Sequence, residues 1–236
     1  MMEPGFYNMD CLTAMKEFPD KFFDLAVVDP PYGDCGGVAE YCNKTRFGGR
    51  FDRYIVDHLH SSKRKNVERT GRQWASKYGS KIISWDTAPS EEYFQELFRI
   101  SKNQIIWGGN YFNLPPNRCF LVWRKLSISE EFSMAMAEYA WTSFNDNAKV
   151  YEATPQGTVN DPRFHPTQKP VALYSWILNK YAKDGDKILD THCGSASSLI
   201  ACERAGLQYW GFEIDPEYYK KANERLQEEK NKIKLF

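Results

Sequence analysis

The residues most able to do chemistry stand in the run Asp29-Pro30-Pro31-Tyr32, which joins a carboxylate, two proline carbonyls and a phenol. Proline has no N–H to give to a sheet, and Pro30 pushes the residue before it into an extended conformation. The run therefore predicts a stiff loop at the end of a strand. A plain strand exit with a Pro-Pro turn would leave the same letters, so the residues that accompany the run decide its meaning.

The element that must position this loop is the run 22–28, which is short, mostly apolar and bounded by charge. Such a run is typical of a strand that is buried on both faces of a sheet. The Asp29 loop then lies at the carboxyl end of that strand. Ligands bind at this edge of open α/β sheets.

A second group of residues has the spacing of a nucleotide-binding unit. Residues 190–196 form a loop of small residues between a predicted strand and a predicted helix, which Gly206 ends. After the next predicted strand comes Glu213, which follows Gly194 by roughly 20 residues. That is the usual distance of an acid that binds ribose hydroxyls.

The rest of the chain alternates strands and helices, which predicts a doubly wound α/β sheet. Between residues 145 and 164 turn-forming residues dominate, and no element is predicted there. The predicted strands are 5–11, 22–28, 103–107, 120–123, 138–144, 187–189 and 209–212, with the fourth and fifth as antiparallel neighbours. The predicted helices are 12–18, one from a capping Ser90, one after Pro170, 197–205, and one capped by Asp215 with Pro216 in its first turn.

Length and composition favour one domain, 1–236, in a cytoplasmic protein. The chain of 236 residues is long enough for one sizeable core and carries neither a run long enough to span a membrane nor a signal-peptide pattern. Six cysteines without a disulfide spacing are best explained as reduced thiols. A zinc site from Cys35, Cys42, His58 and His60 is a weak alternative, because the spacing is loose and no CxxC pair is present, so we predict no metal.

Positive charge is concentrated in one segment, although the chain as a whole has a formal net charge of zero. Residues 33–81 are rich in glycine, have little periodicity, and hold eleven Lys and Arg against five Asp and Glu. Aromatic residues alternate with arginines there, a pattern that suits a phosphate backbone and unstacked bases. A solvated excursion is the competing interpretation. The candidate DNA-binding residues are Arg46, Arg50, Arg53, Lys63, Arg64 and Lys65.

Three motifs together resemble one enzyme family. Asp-Pro-Pro-Tyr at 29–32, Asp190 with its small-residue loop, and His-Pro-Thr-Gln-Lys-Pro at 165–170 look like the DNA methyltransferases that methylate amino groups with S-adenosylmethionine. The catalytic motif precedes the cofactor motif, as in the β-group of that family. The resemblance covers nearly all of residues 5–228 and implies a circularly permuted, Rossmann-like methyltransferase sheet.

The resemblance also implies residue roles. Asp29 and the Pro30 carbonyl would each accept a hydrogen bond from an exocyclic base amine, and Tyr32 would stack on a base flipped out of the duplex. Asp190 would bind the methionyl ammonium, Glu213 the ribose diol, and Asp10 the adenine edge. The candidate catalytic residues are Asp29, Pro30, Pro31 and Tyr32. The candidate cofactor-binding residues are Asp10, Cys11, Asp29, Thr167, Lys169, Asp190, His192, Gly194, Ser195, Ala196, Ser197 and Glu213.

Two residues of the cofactor loop depart from the family pattern Asp-Pro-Phe-x-Gly-Ser-Gly. His192 replaces the phenylalanine, and we assign it no proton chemistry. Ala196 replaces the last glycine, a small steric change if its φ is negative. We therefore expect altered cofactor packing at most.

The expected partner is double-stranded DNA, contacted by residues 33–81 and by a target-recognition region at 125–164. The expected product is N6-methyladenine, because aspartate at the first catalytic position is commoner in the adenine enzymes of the family. Cytosine-N4 methylation by the same fold stays open, as do a weakened DNA-binding relative, a homodimer and a separate cognate restriction enzyme. A dehydrogenase-like enzyme is disfavoured, since no Gly-x-Gly-x-x-Gly is present.

Overall fold

The computed structural model of the chain describes residues 2–33, 87–130, 135–155 and 163–233. The chain divides into two compact units, one formed by Met1–Pro30 with Ser90–Phe236, and the other by Pro31–Pro89. The first unit holds every helix and strand described below. Apart from Gly33, the predicted basic insertion lies outside the described residues, as do the four residues of the zinc alternative.

One mixed sheet organises the first unit. Eight strands are hydrogen-bonded in the order β1-β8-β7-β2-β3-β5-β4-β6. The strands are β1 Gly5–Asn8, β2 Phe23–Val28, β3 Ser101–Trp107, β4 Phe120–Lys125, β5 Ala137–Thr142, β6 Lys149–Ala153, β7 Lys187–Asp190 and β8 Gln208–Glu213.

The predicted buried strand is confirmed as β2, at the centre of the sheet. It pairs in parallel with β3 on one side and with β7 on the other, so that Leu25 lies opposite both Asn103 and Ile188. All of its residues except Asp24 are buried. An apolar strand without polar alternation is what a position covered on both faces requires.

Helices cover the two faces of the sheet, which confirms the doubly wound α/β class. The helices are α1 Cys11–Met15, α2 Glu91–Ile100, α3 Val171–Tyr181, α4 Ser197–Ala205 and α5 Pro216–Ile233, with a 3₁₀ turn at Gly109–Tyr111. Leu25 and Val27 pack with α3 and α4, whereas the alternate residues Ala26 and Val28 pack with α1 and α2. This alternation follows from the two-residue period of a strand.

Three predicted helix ends are confirmed by their hydrogen bonds. The Ser90 hydroxyl accepts from the backbone N–H of Tyr93 at the start of α2. Asp215 accepts from the backbone N–H of Tyr218 at the start of α5. Gly206 ends α4 with a φ of 67°, the left-handed conformation that glycine adopts without strain.

The prediction for residues 145–164 was wrong in one respect, because Lys149–Ala153 forms strand β6. This strand is the edge of the sheet and pairs in parallel with β4. Val150 is 60% exposed there, since an edge strand packs weakly. The predicted antiparallel pairing of β4 with β5 is confirmed.

Two general features complete the fold. No helix in the described ranges is both long and apolar enough to cross a membrane. The cysteines in those ranges, Cys11, Cys119, Cys193 and Cys202, are free and buried.

Candidate active site

Asp29 stands directly after β2 and continues the alternation of Leu25 and Val27 toward the face that α3 and α4 cover. Its side chain is 12% exposed, and its Oδ2 accepts a hydrogen bond from Lys169 Nζ at 2.5 Å. Pro30 behind it is buried. The predicted acid is therefore held at the carboxyl edge of the sheet by a cation.

Lys169 is itself held by a second acid. Its Nζ lies 3.0 Å from Glu138 Oε2 and 5.1 Å from the ring centroid of Trp107. The other Glu138 oxygen, Oε1, lies 2.6 Å from Lys125 Nζ. Four side chains thus alternate in charge, and we call Asp29, Lys169, Glu138 and Lys125 the charged row.

The sheet register explains why these residues meet. Glu138 on β5 lies opposite Trp123 of β4, and Lys125 follows Trp123 by one full strand period. Trp107 ends β3, so three strands deliver these side chains to the edge where β2 delivers Asp29.

Attraction between the opposite charges of the row offsets the free-energy cost of burying them. Burial alone would raise the pKa of the Glu138 carboxyl, but Lys169 and Lys125 outweigh it and lower that pKa to about 2. Burial alone would lower the pKa of the Lys169 ammonium, whereas Asp29 and Glu138 raise it above its ordinary value. Glu138 and Lys169 are therefore both ionised at neutral pH.

The cofactor loop between β7 and α4 contains two further carboxylates. Asp190 ends β7, and its Oδ1 accepts from the backbone N–H of His192 at 3.0 Å while its Oδ2 accepts from the Ser198 hydroxyl. Glu213 ends β8, and its Oε2 accepts from the backbone N–H of Gly194 at 2.8 Å. The predicted strand-loop-helix-strand unit is thus present with both acids at one edge.

Neutral donors form hydrogen bonds to these two acids, and burial raises the pKa of each. Burial raises the pKa of Asp190 to about 7, although the bonds from Ser198 and His192 oppose the shift. Burial also raises the pKa of Glu213. Asp29 is close enough for its charge to add to the rise at Asp190.

The backbone of the loop corrects one expectation. Ala196 has a φ of 59°, not the negative value on which a small steric change depended. An L-residue with a side chain pays roughly 1 kcal/mol in this left-handed region, which glycine occupies freely. Gly194, with a φ of 51°, keeps the residue type that its conformation favours.

His192 is a hydrogen-bonded histidine. Its Nδ1 lies 2.9 Å from the Thr191 hydroxyl, which lies 2.7 Å from the Tyr93 hydroxyl, and its Nε2 lies 3.9 Å from Cys11 Sγ. Burial lowers the pKa of His192 to about 4, so the ring is neutral at pH 7. The geometry assigns it a positioning contact between the loop and α1.

The segment 165–170 touches both groups of acids. Its Lys169 lies on Asp29, and its His165 ring lies 4.3 Å from the Tyr218 ring, centroid to centroid. A Cβ placed on Gly194 would come within 3.2 Å of the same imidazole. One short segment before α3 therefore packs against the cofactor loop at one end and Asp29 at the other.

The other predicted site residues are placed as follows. Asp10 accepts from the backbone N–H and hydroxyl of Thr13 and so caps α1. Thr167 is exposed and bonds to His165. The hydroxyls of Ser195 and Ser197 lie 3.1 Å apart beside Arg225, whose Nη1 donates to both residues. Pro31 and Tyr32 belong to the second unit. Outside the described residues lie Arg46, Arg50, Arg53, Lys63, Arg64 and Lys65.

Sequence reasoning missed Glu138 and Lys125. Both occupy inward-facing positions of strands whose other inward residues, such as Ala140 and Leu121, are buried and apolar. A charge at such a position is the signal that would have identified them. Among the described residues, no group of three or more His, Cys, Asp or Glu could hold a metal ion.

The family model of the N6/N4 methyltransferases, described as DNA methylase, matches residues 38–224. The chain belongs to this family. The match begins after the Asp29 loop and includes the 165–170 segment, the cofactor loop and Glu213. The matched residues therefore include most of the first unit.

Individual proteins are similar to this chain over nearly its whole length. YubD of Escherichia coli (strain K12) is 24% identical over 229 residues, which are 94% of this chain and 89% of YubD. The fold matches that of the cytosine-N4-specific PvuII DNA methyltransferase with a TM-score of 0.57, 12% identity, and coverage of 99% of this chain and 93% of that one. TTHA0409 of Thermus thermophilus, complexed with S-adenosyl-L-methionine, has a TM-score of 0.52 and 16% identity, with 95% of both chains covered.

Proposed function

We propose that the protein transfers a methyl group from S-adenosylmethionine to the N6 amine of an adenine in double-stranded DNA. One observation carries the proposal. Asp29, pinned by Lys169, and Asp190, in the cofactor loop, lie at the carboxyl ends of the neighbouring parallel strands β2 and β7. This arrangement supports a role for Asp29 as the acceptor for an amine and for Asp190 as the neighbouring acid that binds a cationic cofactor.

The donor set fits this cofactor. Asp190 and Glu213 are buried carboxylates held by neutral N–H and O–H donors, and a buried anion gains most from a cation or from further donors. S-adenosylmethionine carries an ammonium, a sulfonium and a ribose diol. In this proposal Asp190 binds the ammonium and Glu213 the diol, with Gly194, Ser195, Ala196 and Ser197 forming the loop around them.

When bound, S-adenosylmethionine supplies an electrophilic methyl group. The chain's own contribution is to position the amine, which is a poor nucleophile because its lone pair is delocalised into the base. The Asp29 carboxylate and the Pro30 carbonyl accept its hydrogen bonds, which turn the lone pair toward the methyl group. As positive charge develops on the amine, the preorganised carboxylate stabilises it, and Asp29 can take the released proton on its way to water.

The choice of adenine rests on the acceptor. A carboxylate accepts a stronger, charge-assisted hydrogen bond than a hydroxyl and suits an amine that becomes positive. Lys169 adds support, because its ammonium holds one oxygen of the Asp29 carboxylate in place. Cytosine-N4 methylation is the second candidate, since the same fold serves the cytosine-N4-specific PvuII enzyme.

The product decides between these candidates. Unmodified genomic DNA is incubated with the protein and deuterated-methyl S-adenosylmethionine, digested, and analysed by mass spectrometry. We expect labelled N6-methyldeoxyadenosine, and at least ~100-fold less of it from an Asp29→Ala control. Labelled N4-methyldeoxycytidine alone would transfer the activity to cytosine, and the absence of any labelled base would contradict methyl transfer to DNA.

We also propose that residues 33–81, together with 125–164, contact the DNA, with Tyr32 stacked on the flipped base. The local excess of positive charge supports this assignment. Replacing Arg46, Arg50 and Arg53 together by alanine should weaken binding to every sequence and flatten its salt dependence. An unchanged affinity and salt slope would leave the segment as a solvated loop.

A further inference from the structure

One acid of the charged row, Glu138, belongs to none of the predicted motifs and is linked to Asp29 through Lys169. Asp29 and Lys169 belong to motifs, but Glu138 and Lys125 come from the antiparallel strands β5 and β4. The Glu138 side chain is 23% exposed, and Lys125 and Lys169 are each almost completely buried. Two buried ammonium groups converge on one carboxylate.

The two Glu138 oxygens are divided between these lysines. Oε1 lies 2.6 Å from Lys125 and Oε2 lies 3.0 Å from Lys169. A carboxylate that serves two buried cations in this way cannot rotate without breaking one of the pairs. Because β5 is hydrogen-bonded between β3 and β4, its backbone is fixed as well.

Lys169 itself comes from a segment without regular secondary structure, and its side chain is long and flexible. Its side chain is only 3% exposed, and a buried ammonium is costly unless it is paired. Glu138 supplies a rigid second partner beside Asp29. The Trp107 ring adds a cation–π contact.

We propose that Glu138 is a positioning residue for methyl transfer, since it holds the Lys169 ammonium and thereby fixes the place and orientation of the Asp29 carboxylate. The inference rests on the proposed function. Small errors in the position of an acceptor are expensive for a reaction that depends on orientation. Glu138 would therefore act through Lys169 and not on the substrate.

A pH readout distinguishes positioning from simple packing. Removing the Glu138 charge leaves Lys169 with Asp29 as its only anionic partner in the charged row, so the Lys169 pKa falls. Deprotonated Lys169 no longer holds Asp29. As the pH rises, the variant should therefore lose activity at a lower pH than wild type does. Among the described residues, the titratable groups that face Lys169 or act on its partners are Asp29 at the end of β2, Glu138 on β5, Lys125 on β4, Tyr93 on α2, Tyr174 on α3, Asp190 at the end of β7, and His165 in its own segment.

The test compares wild type with Glu138→Gln in single-turnover methylation of DNA at saturating S-adenosylmethionine. We expect the variant to be about tenfold slower or more, as for a misplaced catalytic group. The alkaline limb of its pH–rate profile should move to lower pH by about one unit or more. Cofactor affinity, measured by calorimetry, should stay within about threefold, because Glu138 lies outside the cofactor loop.

A double variant separates positioning from charge imbalance. Glu138→Gln combined with Lys125→Met removes one anion and one cation, so the row is again neutral. We expect the double variant to melt at a higher temperature than Glu138→Gln. Its rate should stay low and its alkaline limb should stay shifted. A return to the wild-type rate in the double variant would overturn the inference, as would a wild-type rate and profile in Glu138→Gln. Wild-type activity in the same assay tests the proposed function separately.

Discussion

The two acidic groups at the carboxyl edge of the sheet are held by different kinds of partner. At the end of β2, Asp29 is paired with Lys169, and the charged row continues the alternation through two more side chains. At the ends of β7 and β8, Asp190 and Glu213 are held by backbone N–H groups and a hydroxyl. The first group carries its own cations, whereas within the part of the chain that the structure describes the second is held by neutral donors alone.

Under the proposed function, this difference corresponds to different tasks. A catalytic acceptor must keep its charge and direction at every stage, so a built-in cation is useful there. A pocket for a cationic cofactor gains affinity if its acids are left without a protein cation, because the ligand then provides the first opposite charge. Each prediction below tests one side of this comparison.

The largest effect is expected at Asp29. Asp29→Ala should cut turnover by at least ~100-fold while leaving cofactor binding nearly intact, because one preorganised electrostatic group is lost. Asp29→Asn keeps an acceptor oxygen without the charge and should lie between. Single-turnover methylation and calorimetry measure the two effects. Asp24→Ala, which breaks the 2.6 Å pair with Lys102 at the other end of β2, is the matched control. An active Asp29→Ala protein would remove Asp29 from the mechanism.

Glu213 should affect binding more than rate. Glu213→Ala is expected to raise the dissociation constant of S-adenosylmethionine by roughly tenfold or more, since charge-assisted hydrogen bonds are lost. Calorimetry measures this, with a thermal melt to show that the loop, which Glu213 also caps through Gly194, is still folded. Glu224→Ala on the exposed face of α5 serves as the control. Wild-type affinity in a folded variant would exclude Glu213 from the pocket.

Asp190 should make cofactor binding depend on pH. Its pKa is raised to about 7, so in the ligand-free protein it is mostly protonated at pH 6 and mostly ionised at pH 8. Only the ionised form attracts an ammonium, and affinity should therefore be up to roughly tenfold weaker at pH 6 than at pH 8. Asp190→Asn should bind weakly with no such dependence. Equal wild-type affinities at the two pH values would contradict the assignment of Asp190 to the cationic part of the cofactor.

The smallest effect is expected at Ala196. Glycine there would relieve about 1 kcal/mol of left-handed strain, but it would remove a buried methyl group worth about 0.8 kcal/mol. The two terms nearly cancel, so Ala196→Gly should change the melting temperature by no more than a few degrees. A calorimetric melt measures the shift. A large loss of stability would mean that the methyl group, and not the backbone, governs packing in the loop.

Local patterns were enough to predict much of the cofactor side. The loop 190–196, its strands, Gly206 and Glu213 follow one another closely in the chain, so spacing alone indicated their arrangement. The conformation of Ala196 was not predictable in this way, because φ is set by the turn and not by the residue that occupies it. The expectation about its methyl group was wrong for this reason.

The catalytic side was predictable only in part. Asp29 was identified from the strand and the prolines next to it, but Glu138 and Lys125 lie far away along the chain and belong to no motif. Their meeting depends on the register of β4 against β5 and on where the segment 165–170 lies. Strand β6 was missed because an exposed edge strand carries little apolar periodicity.

The position of β2 has a consequence for how the chain is made. One of its hydrogen-bonding partners, β7, is synthesised about 160 residues after β2, and β8 follows its partner β1 after a still longer stretch of chain. Pairings so distant in sequence form slowly. Until β7 emerges, one edge of an apolar strand is unpaired and able to bind another chain. The strand that presents Asp29 is therefore also a site where the nascent protein can pair with the wrong chain.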